Sequence, residues 1–176
     1  ITLQSNESYE LEKKQIDLLL TKRVDGILIS LANETGDYKH LSEIIENETP
    51  LVMFDKIAKI IRCSKVVVND RKAAYKATEH LIKIGCKRIA HFRGPLLPQN
   101  SIDRFLGYKQ ALIDYGIPYD PTLVYVNECG DMSFEEGKES VRQLLKDHKD
   151  VDGIFINTDL VAIGAITEII KNGIKV

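Results

Sequence analysis

The heptapeptide VDGILIS at residues 24–30 returns, with two changes, as VDGIFIN at residues 151–157. The likeness extends upstream: Ser8-Tyr9-Glu10 leads into Leu18, Leu19 and Leu20 before the first copy, and Ser133-Phe134-Glu135 leads into Leu144 and Leu145 before the second. Each copy reads as helix, short loop, strand. In the first, Ser8 is placed to cap a helix whose Leu11, Gln15, Leu18 and Leu19 keep helical spacing, with Glu10 and Glu12 near its positive end. Then the period changes: Ile27-Leu28-Ile29 is a continuous apolar run, suited to a strand covered on both faces in a parallel sheet. A chain that spells this unit twice is built from two similar halves.

The rest of the chain keeps the alternation. Strands are expected near residues 1–5, 26–31, 50–55, 65–68, 87–93, 122–127 and 153–157, and helices near 8–22, 37–47, 70–84, 101–115, 133–147 and 159–172. Gly85, Gly116 and Gly173 stand where three of these helices must stop, as residues free to take positive φ. The pattern predicts an α/β protein of two doubly wound, Rossmann-like parallel-sheet lobes. Strands 50–55 and 65–68 are separated by about nine residues, too few for a helical crossover, so the passage between lobes is expected there. The lobes are read as residues 1–68 and 69–176.

Composition removes several function classes. Lys and Arg number 24 against 26 Asp and Glu, and no basic run marks this chain as a nucleic-acid binder in its own right. No apolar stretch approaches the roughly 18 uncharged residues of a membrane span, and no signal sequence is seen; a cytoplasmic location is expected. Cys63, Cys86 and Cys129 are too irregular for a disulfide framework or zinc site, and His40, His80, His91 and His148 are equally scattered. They lead us to expect reduced cysteines and no metal. The chain lacks a Gly-rich phosphate loop, a nucleophile elbow and a CxxC pair, so no cofactor is expected and catalysis is disfavoured.

Ligands of doubly wound sheets sit outside the carboxyl ends of the strands. The polar residues there are Asn6, Ser30, Asp55, the Arg93-Gly94 region, Asn127, Asn157, Thr158 and Asp159. Amides, hydroxyls and single charges suit a polar small molecule better than a bond-breaking step. Asp55 reads equally as a turn residue or a ligand acceptor. Asp70 and Asp159 precede helices and are expected to be N-caps. Arg104 lies one turn into a helix, as a salt-bridge partner or as a planar fork for ligand oxygens. Met132, before the Ser133 cap, is packing or an apolar platform.

The stretches VVVNDRKAAYKATEHLIKIGCKRIAHFRGP (66–95), DRFLGYKQALIDYGI (103–117) and VDGIFINTDLVAIGAITEIIKNGIKV (151–176) strongly resemble the effector-binding domain of the lactose-repressor (LacI) family of transcription regulators. The resemblance covers practically the whole chain, including TPLVMFD in the first lobe. It implies a type I periplasmic-binding-protein-like pair of lobes around a cleft, dimerisation through the lobes, and a preceding helix-turn-helix module, absent from this chain, that binds operator DNA. It also implies a further strand and helix before residue 1 and a segment after residue 176 that completes the first lobe.

By the same resemblance, Arg104 matches the cleft arginine that holds the effector. Ser30, Asp55 and Thr158 fall where relatives contact ligand, Val68 falls at the lobe crossover, and Met132 replaces an aromatic that packs on the effector in some relatives. Asp159 matches a helix-capping aspartate. The expected function is the sensing of a sugar, sugar phosphate or purine-like effector by a homodimeric regulator, the effector bridging Asp55 and Ser30 in one lobe and Arg104 and Thr158 in the other. The dimer surface is sought among exposed apolar residues of the first-lobe helices. A periplasmic sugar-binding protein is the nearest rival, and a sugar isomerase or kinase on a similar sheet a more distant one.

Overall fold

The structure, a computed structural model, describes residues 1–126 and 133–176. They divide into two compact units, Ile1–Val68 with Leu97–Asn100, and Asn69–Leu96 with Ser101–Val176.

The first unit runs α1 (Tyr9–Thr21), β1 (Ile27–Ile29), α2 (Lys39–Glu46), β2 (Leu51–Phe54) and β3 (Ser64–Val66). Its sheet is parallel, in the order β1-β2-β3. The short connection after β2 therefore stays within this sheet, since β3 lies beside β2 in parallel register, Val52 against Ser64 and Phe54 against Val66. Ser8 caps α1 as expected, accepting from the Leu11 amide at 3.5 Å. One face of the sheet packs with α1 and α2 into a core of Ile16, Ile27, Leu41, Ile44, Leu51 and Met53. The other face is open: Leu28 is 75% exposed and Val66 67%. Cover on both faces of β1, expected from its unbroken apolar run, is not found among the described residues.

Residues 1–5 do not form the expected strand. They have no ladder partner among the described residues; the Gln4 carbonyl accepts from Gln15 Nε2 at 2.7 Å and the Ser5 carbonyl from the Ser8 amide at 3.0 Å. Between them, α1 and β1 lies a groove of about 500 Å³. An extended segment without a neighbour to pair with gains no sheet bonds.

The second unit contains α3 (Asp70–Lys83), β4 (Ile89–Arg93), β5 (Val124–Val126), α5 (Phe134–Asp147), β6 (Gly153–Ile156) and α6 (Asp159–Lys171), and most of α4 (Gln99–Asp114). A 3-10 turn at Pro121–Leu123 delays the start of β5 relative to the expected strand. The parallel order is β5-β4-β6, and all five residues of β4 are buried. Its side chains alternate between layers. Ala90 and Phe92 pack with Val141, Leu144, Val161 and Ala165 from α5 and α6, while Ile89 packs with Tyr108 and Leu112 from α4. This unit is wound on both faces, as the apolar pattern predicts.

The repeated VDG has a steric cause. A Cβ on Gly26 would stand 3.3 Å from the Pro50 carbonyl, and one on Gly153 would stand 3.1 Å from Cys86 Sγ. Each glycine lets its strand begin against the neighbouring chain. Asp152 adds a clamp, its carboxylate accepting from the Lys87 and Arg88 amides at 2.8–3.0 Å. Gly85, Gly116 and Gly173 take φ of 109°, 68° and 74° at the ends of α3, α4 and α6.

Candidate functional site

In the second unit the polar groups gather where β4 and β6 end. Arg104, in the second turn of α4, donates from Nε to Asp70 Oδ1 at 2.8 Å and from Nη1 to the Asn157 carbonyl at 2.9 Å. Two fixed bonds hold the planar guanidinium in one orientation, and its remaining N–H groups have no hydrogen-bond partner among the described residues. Arg104 thus forms the salt bridge of the first reading, and the same bonds fix the plane of its guanidinium.

Asp70 corrects an expectation. The cap of α3 is Asn69, whose side chain accepts from the Lys72 amide at 2.9 Å, and Asp70 is the first helical residue. Its carboxylate is 8% exposed and directed to Arg104. Asp159 likewise is not the cap of α6 but its first residue; Thr158 holds the cap position, although its side chain makes no capping bond. Thr158 Oγ1 is instead buried without a hydrogen-bond partner among the described residues, as is Asn157 Oδ1. The amide of Asn157 donates to the Phe92 carbonyl at 3.0 Å, which sets this residue beside the end of β4.

In the first unit, Ser30 follows β1 and lines the groove. Asp55 follows β2 with a φ of 54°, a left-handed conformation unusual outside glycine, and accepts from Asn100 Nδ2 at 3.2 Å. It is exposed, so its carboxylate meets solvent as well as that amide. Val68 is 70% exposed at the end of the unit. Met132 lies outside the described residues, as does Asn127.

Sequence reasoning missed the network that supports the end of β1. Glu12, assigned to the dipole end of α1, is 3% exposed, and its carboxylate accepts from the Ala32 amide at 2.6 Å and Thr35 Oγ1 at 2.9 Å, with His40 Nε2 at 2.8 Å. These bonds tie the loop after Ser30 to α1 and α2. Nearby, Lys56 Nζ reaches Glu7 Oε1 at 2.6 Å and Asn33 Oδ1 at 3.2 Å. No spacing in the sequence links residues 12, 32, 35 and 40; only the fold brings them together.

Cys63 and Cys86 are free and half-buried. Among the described residues no group of three or more His, Cys, Asp or Glu is placed to hold a metal ion, and no helix is long and apolar enough to cross a membrane.

The family model describing periplasmic binding proteins and the sugar binding domain of the LacI family matches residues 1–176. The HTH-type transcriptional repressor CytR of Escherichia coli K12 is 33% identical over 165 residues, covering 94% of this chain and 47% of that protein. The transcription regulator CcpA of Lactococcus lactis has a solved structure that superposes with a TM-score of 0.86 at 30% identity, covering 100% of this chain and 62% of that one. The regulator CelR, solved in complex with cellobiose, gives 0.84 at 26% identity over 96% of this chain and 51% of CelR. The chain thus spans about half the length of the curated relatives it matches. With its repeated helix-loop-strand unit, its two parallel sheets and a family match along its whole length, the chain belongs to the periplasmic binding proteins and sugar-binding domains of the LacI family.

Proposed function

We propose that this chain is the effector-binding domain of a LacI-type transcription regulator that acts in the cytoplasm and binds a small polar metabolite at the carboxyl ends of its strands. The observation that carries the reading is the Arg104 fork, held by Asp70 and the Asn157 carbonyl with N–H donors to spare. A guanidinium fixed in this way meets two ligand oxygens without first losing side-chain freedom. Thr158 supplies a hydroxyl in the same unit, and Ser30 and Asp55 supply a hydroxyl and a carboxylate at the strand ends of the first; Met132 and Val68 complete the proposed ligand contacts. The names of the relatives support regulation over catalysis and over transport, and the cellobiose held by CelR supports a sugar-like effector.

The effector acts by its difference in affinity for the regulator's conformations. Operator DNA is proposed as a partner through a helix-turn-helix module outside this chain, and a second copy as a partner in a homodimer. Exposed apolar side chains are sparse on α1 and α2, where Leu18 and Ile45 stand out, and run along α6 through Leu160, Ile163, Ile166 and Ile170. That distribution favours α6 for the dimer surface over the first-lobe helices.

The test is a thermal-shift screen against neutral sugars including cellobiose, phosphorylated sugars and purine nucleosides, followed by calorimetry on the best ligand, since a ligand of the native state raises the melting temperature by mass action. Arg104→Ala is expected to weaken binding by about 2 kcal/mol, the scale of a hydrogen bond to a charged group, with circular dichroism reporting a folded chain. Arg104→Lys, which keeps the charge and loses the fork, is expected to fall between. Unchanged affinity in Arg104→Ala would overturn the assignment.

A further inference from the structure

A second arginine ends β4. Arg93 is 8% exposed, and its Nε is buried without a hydrogen-bond partner among the described residues. Its guanidinium lies over Phe105, with Cζ 4.5 Å from the ring centroid. The ring face attracts the cation but accepts none of its in-plane N–H bonds. Arginines are almost never buried unless paired. Elsewhere in the described chain the pairing is plain, as Arg88 meets Asp120 and Asp150, Arg104 meets Asp70, and Arg142 meets Glu139 and Glu168. No described carboxylate forms an ion pair with Arg93.

The surroundings specify what is wanted. Arg104 is already neutralised by Asp70, whereas Arg93, also at this end of the sheet, has no carboxylate partner among the described residues. Asn157, seated next to it by the bond to the Phe92 carbonyl, has an Oδ1 without a donor, and Thr158 has a buried Oγ1 without a partner. Burial also disfavours the charged form of Arg93, lowering its pKa, a penalty that an incoming anion offsets. A guanidinium needs acceptors such as oxyanions, the Asn157 amide oxygen needs a donor, and the Thr158 hydroxyl can serve as either, so an anion that also carries hydroxyls meets all three.

We propose that Arg93 is a second effector-binding arginine and that the effector is an anionic sugar, one carrying a phosphate or carboxylate group as well as free hydroxyls. The inference rests on the effector-binding reading above and narrows its ligand class. A neutral sugar or nucleoside would leave Arg93 buried with no counter-charge among the described residues.

The experiment uses the full chain and an Arg93→Met variant, with glucose 6-phosphate, ribose 5-phosphate and glucuronate as anionic probes and glucose and ribose as neutral ones. An anionic probe should raise the melting temperature more than its neutral counterpart, and Arg93→Met should weaken that binding by about 10- to 100-fold. The phosphate and carboxylate arms identify which group is taken. The ligand-free variant should melt at or above the parent temperature, because an unpaired buried charge has been replaced by an apolar side chain of similar length. Neutral probes binding as well as anionic ones, an Arg93→Met affinity unchanged, or the lack of any anionic response would each overturn the inference. Neutral-sugar binding that is lost in Arg104→Ala but kept in Arg93→Met would sink it while leaving the effector-binding reading intact. Lower stability in ligand-free Arg93→Met, restored by Arg93→Lys, would mark a structural arginine and also overturn it.

Discussion

Replacing Gly164 by alanine should force α5 and α6 apart. The two helices meet through reciprocal glycines: a Cβ on Gly164 would lie 2.0 Å from the Phe134 carbonyl oxygen, and one on Gly137 would lie 2.0 Å from the Val161 carbonyl oxygen. Neither obstacle is a side chain that could swing aside. Restoring ordinary contact requires a separation of roughly 1.4 Å, and overpacking of this kind costs about 3 kcal/mol, the upper part of its usual range. Alanine recovers about 1 kcal/mol through its better helix propensity, leaving a net loss of about 2 kcal/mol. That corresponds to about 4–8 °C in melting temperature for a chain of this size. Thermal melts followed by far-ultraviolet circular dichroism measure it directly. Once one substitution has opened the interface the second should cost less, so the Gly137→Ala/Gly164→Ala pair should fall short of additivity by about 0.5 kcal/mol or more. A Gly164→Ala protein melting at or above the parent temperature would refute close glycine-mediated approach of these helices.

Two other perturbations probe buried polar groups. Glu12→Ala strands the Ala32 amide, Thr35 and His40 together, and a loss of about 3 kcal/mol or more is expected in chemical denaturation; a neutral outcome would mean water replaces the carboxylate. His91 is fully buried, donates from Nδ1 to the Phe155 carbonyl at 3.0 Å, and burial lowers its pKa from 6.5 to about 4. Between those values the unfolded chain takes up a proton that the folded chain refuses, so stability contributed by this site is full above about pH 6.5 and falls as pH drops toward 4, by roughly 3 kcal/mol in all. His91→Phe should flatten that part of the pH–stability curve, and an identical slope in both proteins would assign the effect to other groups.

The parts of the fold carried by local chemistry are legible in the sequence. Ser133 caps α5 as expected and the glycine stops are where helices end, while the structure adds Glu136, whose carboxylate accepts from the Ser133 amide at 2.6 Å to complete a capping box. Asp70 and Asp159 were misread because an acidic residue at the first helical position and one at the cap look alike in sequence; only the backbone tells them apart. At the candidate site, the resemblance singles out Arg104 but not its partner Asp70, because 34 residues separate the two and charge pairing over such a span depends on how helices lie. Glu12 was hidden for the opposite reason, since a carboxylate in the first turn of a helix satisfies a local rule on its own. Residues 1–5 show the limit of apolar patterning: hydrophobicity selects residues fit for a strand, but a strand exists only beside another.

Among the described residues β1 has a hydrogen-bonded neighbour on one side only, β2. On its other flank its backbone borders the groove lined by Ile1 to Ser5, with Leu28 standing out from the sheet. That flank is where one more strand could join the first sheet, in the parallel sense that β1 and β2 already share.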